Sequence, residues 1–125
     1  METGQKGKSA DLGDEWLVDA HACDPASLRD VRSVRDLLDH VVGALGLTPV
    51  GEARVHQFGG EAGITALVLL SESHLAVHTF PEHRAATLNL YCCRPRPAFG
   101  WEAPLRTFLG AARVVVRHVP RGGDG

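Results

Sequence analysis

The sequence has no apolar run long enough to cross a membrane. Its longest, Ala66-Leu67-Val68-Leu69-Leu70, is the size of a strand. It has no basic excess either: 13 Lys and Arg stand against 15 Asp and Glu, a net charge of −2, which argues against a nucleic-acid surface. Cysteine is scarce. The three residues Cys23, Cys92 and Cys93 form neither an even set nor a Cys-x-x-Cys pair, so a disulfide framework is excluded and the thiols read as reduced, as in a cytoplasmic protein. The polar, Gly-rich stretch 1–13 lacks the apolar centre of a signal peptide and reads as a disordered leader, with 121–125 as a flexible tail.

What is present is an ordinary globular composition, 44% hydrophobic and 22% charged over 125 residues, enough for one domain over residues 14–120. Glu15 to Cys23, with Trp16, Val18 and Ala20 on one alternating face, predicts a first strand. Asp24-Pro25 breaks it, and Asp24 or Ser27 can cap a helix from there. From Leu28 to Leu47 the apolar positions recur at three- and four-residue steps, which predicts one amphipathic helix ended by Gly46. Strands are expected at Val50–Phe58, Ile64–Leu70, His74–Thr79, Ala85–Cys92 and Arg113–Val119, with a turn at Gly59–Gly63 and a second helix at Trp101–Leu109. Ile64–Leu70 is apolar on both faces and is therefore expected to be central. The order β-α-β-β-β-β-α-β predicts an α+β fold: a two-layer sandwich, mainly antiparallel, with two helices on one face. The other face stays open unless a second copy covers it, which makes a homodimer the expected partner arrangement.

The chemistry concentrates in Ser71-Glu72-Ser73-His74-Leu75-Ala76-Val77-His78-Thr79-Phe80-Pro81-Glu82, with Cys93 twenty residues after Ser73. Glu72-Ser73 lies at a junction between two strands, where a hydroxyl can attack the preceding carbonyl and convert the peptide bond to an ester. Elimination of that ester needs a base, for which His78 is a candidate. Strand alternation puts His74, Ala76 and His78 on one face and Ser73, Leu75 and Val77 on the other, so spacing alone does not bring Ser73 and His78 together. Cys93 could reach the same mouth as a proton donor.

This string resembles the signature of the prokaryotic S-adenosylmethionine decarboxylase family, and the likeness extends along nearly the whole chain, through Trp16–Ala20, Cys23-Asp24, His56-Gln57-Phe58 and Arg113–Val116. The resemblance implies a proenzyme that cuts itself between Glu72 and Ser73, so that residues 1–72 become one chain and 73–125 the other. Ser73 would become a pyruvoyl group, whose ketone forms a Schiff base with the substrate amine and accepts electrons as carbon dioxide leaves. His78 matches the processing base, and Thr65 falls where the family usually has a Ser that assists processing. Cys93 matches the residue that protonates the substrate carbon, Glu82 the carboxylate that binds the ribose hydroxyls, and Phe58 is a candidate stacking surface for adenine. The implied reaction is that of a carboxy-lyase acting on S-adenosylmethionine to supply the aminopropyl donor for spermidine.

The chain departs from the pattern at Phe80, where a Trp is usual, at Asn89, which replaces an Asp, and at Cys92-Cys93-Arg94, which replaces Thr-Cys-Gly. These changes leave open a free amino acid such as arginine or ornithine as substrate. Blander readings also stand: Ser73 as a turn former, Phe58 as core, Glu82 as a solvated carboxylate, Cys23 and Cys92 as small buried hydrophobes. A metal module built on His74, His78, His83, Cys92 and Cys93 would be the rival class, but no standard ligand spacing supports it, and no metal is expected.

Overall fold

The computed structural model describes residues 12–59 and 62–123. Its first strand, β1 (Gly13–His21), begins two residues before the predicted start. Asp24 then caps the one-turn helix α1 (Pro25–Leu28) by accepting from the Ala26 amide at 3.1 Å. The single helix expected from Leu28 to Leu47 is instead two. Asp30 takes an extended conformation (φ −96°, ψ 110°), accepts from the Arg32 amide at 3.1 Å, and starts α2 (Val31–Ala44) anew. The apolar period ran through this break because Leu28 and Val34 both face the core from separate helices. Gly46, with φ 64°, ends the helical segment as predicted.

The second strand is shorter than expected. Gly51 adopts φ 78° and turns the chain, so β2 covers only Arg54–Gln57. Next come the antiparallel strands β3 (Ile64–Leu70), β4 (Ser73–Phe80) and β5 (Ala85–Cys92), with a one-turn 3-10 helix at Pro81–His83 between the last two. Helix α3 (Glu102–Leu109) and strand β6 (Arg113–Arg121) complete the described chain. β6 therefore reaches into the segment expected as tail, and Leu12 and Gly13 are ordered parts of the sheet end rather than leader. The earlier leader residues and Gly60 and Glu61 of the predicted turn lie outside the described residues.

The sheet order is β2-β3-β4-β5-β1-β6, antiparallel throughout the described pairs. Helices α2 and α3 pack on one face, where Val18, Leu75, Val77, Leu88 and Leu90 meet Leu37, Leu38, Val41, Leu105 and Leu109. The architecture is thus the expected α+β two-layer sandwich. Thr79 is its notable polar member: fully inside, its hydroxyl donates to the Leu28 carbonyl (2.7 Å) and accepts from the Ile64 amide (2.8 Å). Gly63 lies so close to this point that a Cβ would stand 2.0 Å from the Thr79 carbonyl oxygen.

The other sheet face is uncovered. β3 is apolar on both faces but buries only one; Ile64, Ala66, Val68 and Leu70 point inward, while Leu67 (44% exposed) and Leu69 (57%) point out. It is the strand next to the edge, not a central one. No helix is long and apolar enough to cross a membrane among the described residues.

Candidate active site

Glu72 occupies the tight turn joining β3 to β4, and Ser73 is the first residue of β4. The turn is fixed from the neighbouring strand. The Cys93 amide donates to the Glu72 carbonyl oxygen at 3.0 Å, and the Arg94 guanidinium pairs with the Glu72 carboxylate. Ser73 lies opposite Cys92 in the β4–β5 register, and Cys92 is buried on the helix-facing side. Burial pushes the Cys92 thiol up from its ordinary value, as it does for Cys23, so both stay protonated small groups inside the core. Cys93, just past β5, is exposed.

The remaining predicted residues gather at the other end of β4. Thr65 and His78 are register partners on the open face, and the Thr65 hydroxyl and His78 Nδ1 hydrogen-bond at 3.0 Å. Near them Phe58 is 48% exposed, with His56 edge-on at 4.6 Å, so it is not core. Phe80 is exposed at the end of the same strand, and Glu82 is exposed in the adjoining 3-10 helix. His78 lies five residues beyond Ser73 on an extended strand, which separates them by roughly 16 Å at the usual rise of a strand. One copy of the chain therefore brings Glu72, Ser73 and Cys93 together, and separately Thr65, His78, Phe58, Phe80 and Glu82.

A third group is not apparent from the sequence. On the open face beside Cys93, Glu15 of β1 accepts from the Asn89 amide and from Arg121 (2.6 Å), and Asn89 Oδ1 meets His74 Nε2 at 2.9 Å. His74 stacks on Tyr91, with ring centroids 5.9 Å apart and planes at 24°. The Tyr91 hydroxyl donates to the Leu12 carbonyl. The Asn89 hydrogen bond leads the causes that hold the Glu15 carboxyl below its ordinary value; partial burial opposes it and Arg121 reinforces it. Asn89 stands out in the sequence, but Glu15, Tyr91 and Arg121 are joined to it only by strand pairing. The rival metal set of His74, His78, His83, Cys92 and Cys93 is not assembled. Cys92 faces the core while His74 and His78 face out, and no group of three or more His, Cys, Asp or Glu could hold an ion among the described residues.

Comparison with known proteins places this geometry. A protein of Aquifex aeolicus (strain VF5) named S-adenosylmethionine decarboxylase proenzyme is 38% identical over 82 residues, which is 66% of this chain and 59% of that one. A protein of Acidithiobacillus ferrooxidans (strain ATCC 53993 / BNL-5-31) with the same name is 30% identical over 115 residues, 89% of this chain and 83% of that one. The chain spans about three fifths of the length of the Aquifex and Hydrogenobaculum relatives it matches. The crystal structure of the adenosylmethionine decarboxylase from Aquifex aeolicus VF5 superposes with a TM-score of 0.77 at 30% identity, covering 94% of this chain and 96% of that one. The family model described as S-adenosylmethionine decarboxylase matches residues 14–122, and the chain belongs to that family.

Proposed function

We propose that this chain is a self-processing, pyruvoyl-dependent S-adenosylmethionine decarboxylase. The observation that carries the proposal is the hydrogen bond from the Cys93 amide to the Glu72 carbonyl oxygen at 3.0 Å. That oxygen is the one on which negative charge develops when the Ser73 hydroxyl attacks the Glu72 carbonyl carbon, and a fixed backbone donor there lowers the cost of the step. The carbon–nitrogen bond between Glu72 and Ser73 then breaks, leaving an ester and a free amine. Removal of the Ser73 Cα proton expels the Glu72 carboxylate, and water displaces the nitrogen as ammonia. The result is residues 1–72 and a 73–125 fragment headed by a pyruvoyl group.

His78 is the base we assign to the elimination, with Thr65 holding its Nδ1. Because His78 sits at the far end of β4 from the Ser73 of its own copy, we assign it to the Ser73 of a second copy in a homodimer. The open sheet face supports such a partner: Leu67, Leu69, Phe80 and Val119 leave large apolar side chains exposed on it. The same pairing sets Phe58 and Glu82 of one copy beside Ser73 and Cys93 of the other, so that an aromatic face meets adenine and a carboxylate accepts from the ribose hydroxyls.

The pyruvoyl ketone, once formed, takes up the electrons released when the substrate loses carbon dioxide. The protein's part is to hold the adenosyl end with Phe58 and Glu82 and to return a proton to the substrate carbon from Cys93, the exposed thiol. Decarboxylated S-adenosylmethionine, the aminopropyl donor for spermidine, is the product. Carbon dioxide release from S-adenosylmethionine, arginine and ornithine, measured side by side, tests the assignment. Release from S-adenosylmethionine alone supports it; release only from a free amino acid overturns the substrate and keeps the chemistry.

A further inference from the structure

The bond assigned to be cut sits in a turn that is held from outside its own hairpin. Leu70 pairs with Ser73, so Ser71 and Glu72 alone make the loop between β3 and β4. Two-residue hairpin loops match the twist of their strands when the first loop residue, or both, takes a positive φ. Neither Ser71 nor Glu72 does, since Ala22 and Arg84 are the non-glycine residues with positive φ among the described residues. The turn relies instead on ties to its neighbours. On one side, ahead of β2, the Ser71 amide donates to the Thr48 carbonyl at 2.9 Å. On the other, two consecutive residues after β5 grip Glu72. The Cys93 amide holds its carbonyl oxygen at 3.0 Å, and the Arg94 guanidinium holds its carboxylate.

We propose that Arg94 is a positioning residue for self-cleavage: its ion pair with Glu72 keeps the Glu72 carbonyl oxygen on the Cys93 amide while Ser73 attacks. The inference rests on the self-processing reading. In that step the Ser73 oxygen bonds to the Glu72 carbonyl carbon, and the electron pair of the C=O bond moves onto the oxygen that the Cys93 N–H faces. The Ser73 hydroxyl proton ends on the departing nitrogen. With the carbonyl alone tied, the Glu72–Ser73 peptide plane could swing away from one hydrogen bond. With the side chain tied as well, both branches from the Glu72 Cα are anchored to residues 93 and 94, and the oxygen stays on its donor. Arg94 itself touches no reacting atom. It stands where the family pattern has a Gly, so the second tie is this chain's own addition. Both side chains reach water, Glu72 38% exposed and Arg94 70%, so the tie has the strength of a surface ion pair: a few-fold effect, weakened by salt.

The test follows cleavage as it happens. The full chain is made in a cell-free extract, synthesis is stopped, and the 1–72 and 73–125 fragments are followed by denaturing electrophoresis. Arg94→Met keeps the stem, removes the charge, and should cleave about two- to fivefold more slowly at low salt. Arg94→Lys keeps the charge and should stay within about twofold of the unaltered chain. At about 1 M salt the rates of Arg94→Met and the unaltered chain should converge, because charges in water are then screened beyond about 3 Å. Glu72→Gln should match Arg94→Met, and the double variant should be no slower than either alone. Exchanging the charges, Glu72→Lys with Arg94→Glu, should regain the unaltered rate to within about twofold, a recovery that a merely structural Arg94 would not give. Equal low-salt rates for Arg94→Met and the unaltered chain, additive losses in the double variant, or no recovery on exchange overturn the proposal. Should the exchanged pair not fold, the Arg94→Met rates at low and high salt decide. An unaltered chain that never splits overturns self-processing and the Arg94 role with it; one that splits at a rate indifferent to Arg94 overturns the Arg94 role alone.

Discussion

The Cys93 amide and the Glu72 carbonyl oxygen stand 3.0 Å apart, across the mouth between β4 and β5. The residue whose thiol is assigned to late proton return thus also presents its backbone N–H to the bond assigned to be cut. The two roles do not compete, because the amide belongs to the main chain and survives any change of side chain. A Cys93→Ala protein is therefore expected to keep processing far better than it keeps decarboxylation. Comparing the fraction cleaved with the rate of carbon dioxide release on the same sample checks this; equal loss of both would refute the separation.

The distance between Ser73 and His78 gives a second expectation. A His78→Ala chain made alone should stay intact, and so should a Ser73→Ala chain. Made together, the two should form mixed dimers in which the His78→Ala chain is cut, since its partner supplies the imidazole. Tagged chains resolved by denaturing electrophoresis would show it. If the His78→Ala chain remains whole in the mixture, His78 does not act across copies.

Thr79 supplies a prediction about stability. Its hydroxyl bridges the Leu28 carbonyl and the Ile64 amide inside the core. Thr79→Val keeps the shape but leaves both backbone groups without that partner, so unfolding in urea should show a loss of about 2–4 kcal/mol, at the usual cost of about 1–3 kcal/mol per buried orphan. The same change made at the exposed Thr87, on the open face opposite His78, should cost under about 0.5 kcal/mol.

Much of this is legible in the sequence because periodicity reports burial directly. The alternation at Leu75, Val77 and Thr79 and the boundaries of β5 arise from side chains that point in and out by turns. The break at Asp30 is hidden, since α1 and α2 continue one apolar stripe into the same core. The short β2 is hidden as well, because it turns on the φ of one glycine, Gly51. For the site, Ser73, His78 and Cys93 share a recognisable string. Nothing local joins Glu15 to Asn89 and Arg121; seventy-four residues separate the first pair, and only the order β5-β1-β6 makes them neighbours.

Glu15 also fixes a pH dependence. Its carboxyl lies below the value of about 4.3 expected in an unfolded chain, so it binds its proton less readily when folded. The resulting stabilisation is fully present above that value and is lost as pH falls through the folded one. Between about pH 5 and 3 the native chain should therefore lose more stability than Glu15→Gln, and above about pH 6 the difference between them should be constant. Urea midpoints across that range measure it; parallel curves would mean that Glu15 makes no net charge-dependent contact.

The most direct measurement is the intact mass of the purified protein under denaturing conditions, beside that of Ser73→Ala. Cleavage between Glu72 and Ser73 predicts two fragments, residues 1–72 with an ordinary carboxyl end and residues 73–125 with a pyruvoyl group in place of Ser73, while Ser73→Ala gives one intact chain. A single unbroken mass for the unaltered protein, or fragments from Ser73→Ala split at the same bond, would contradict the account.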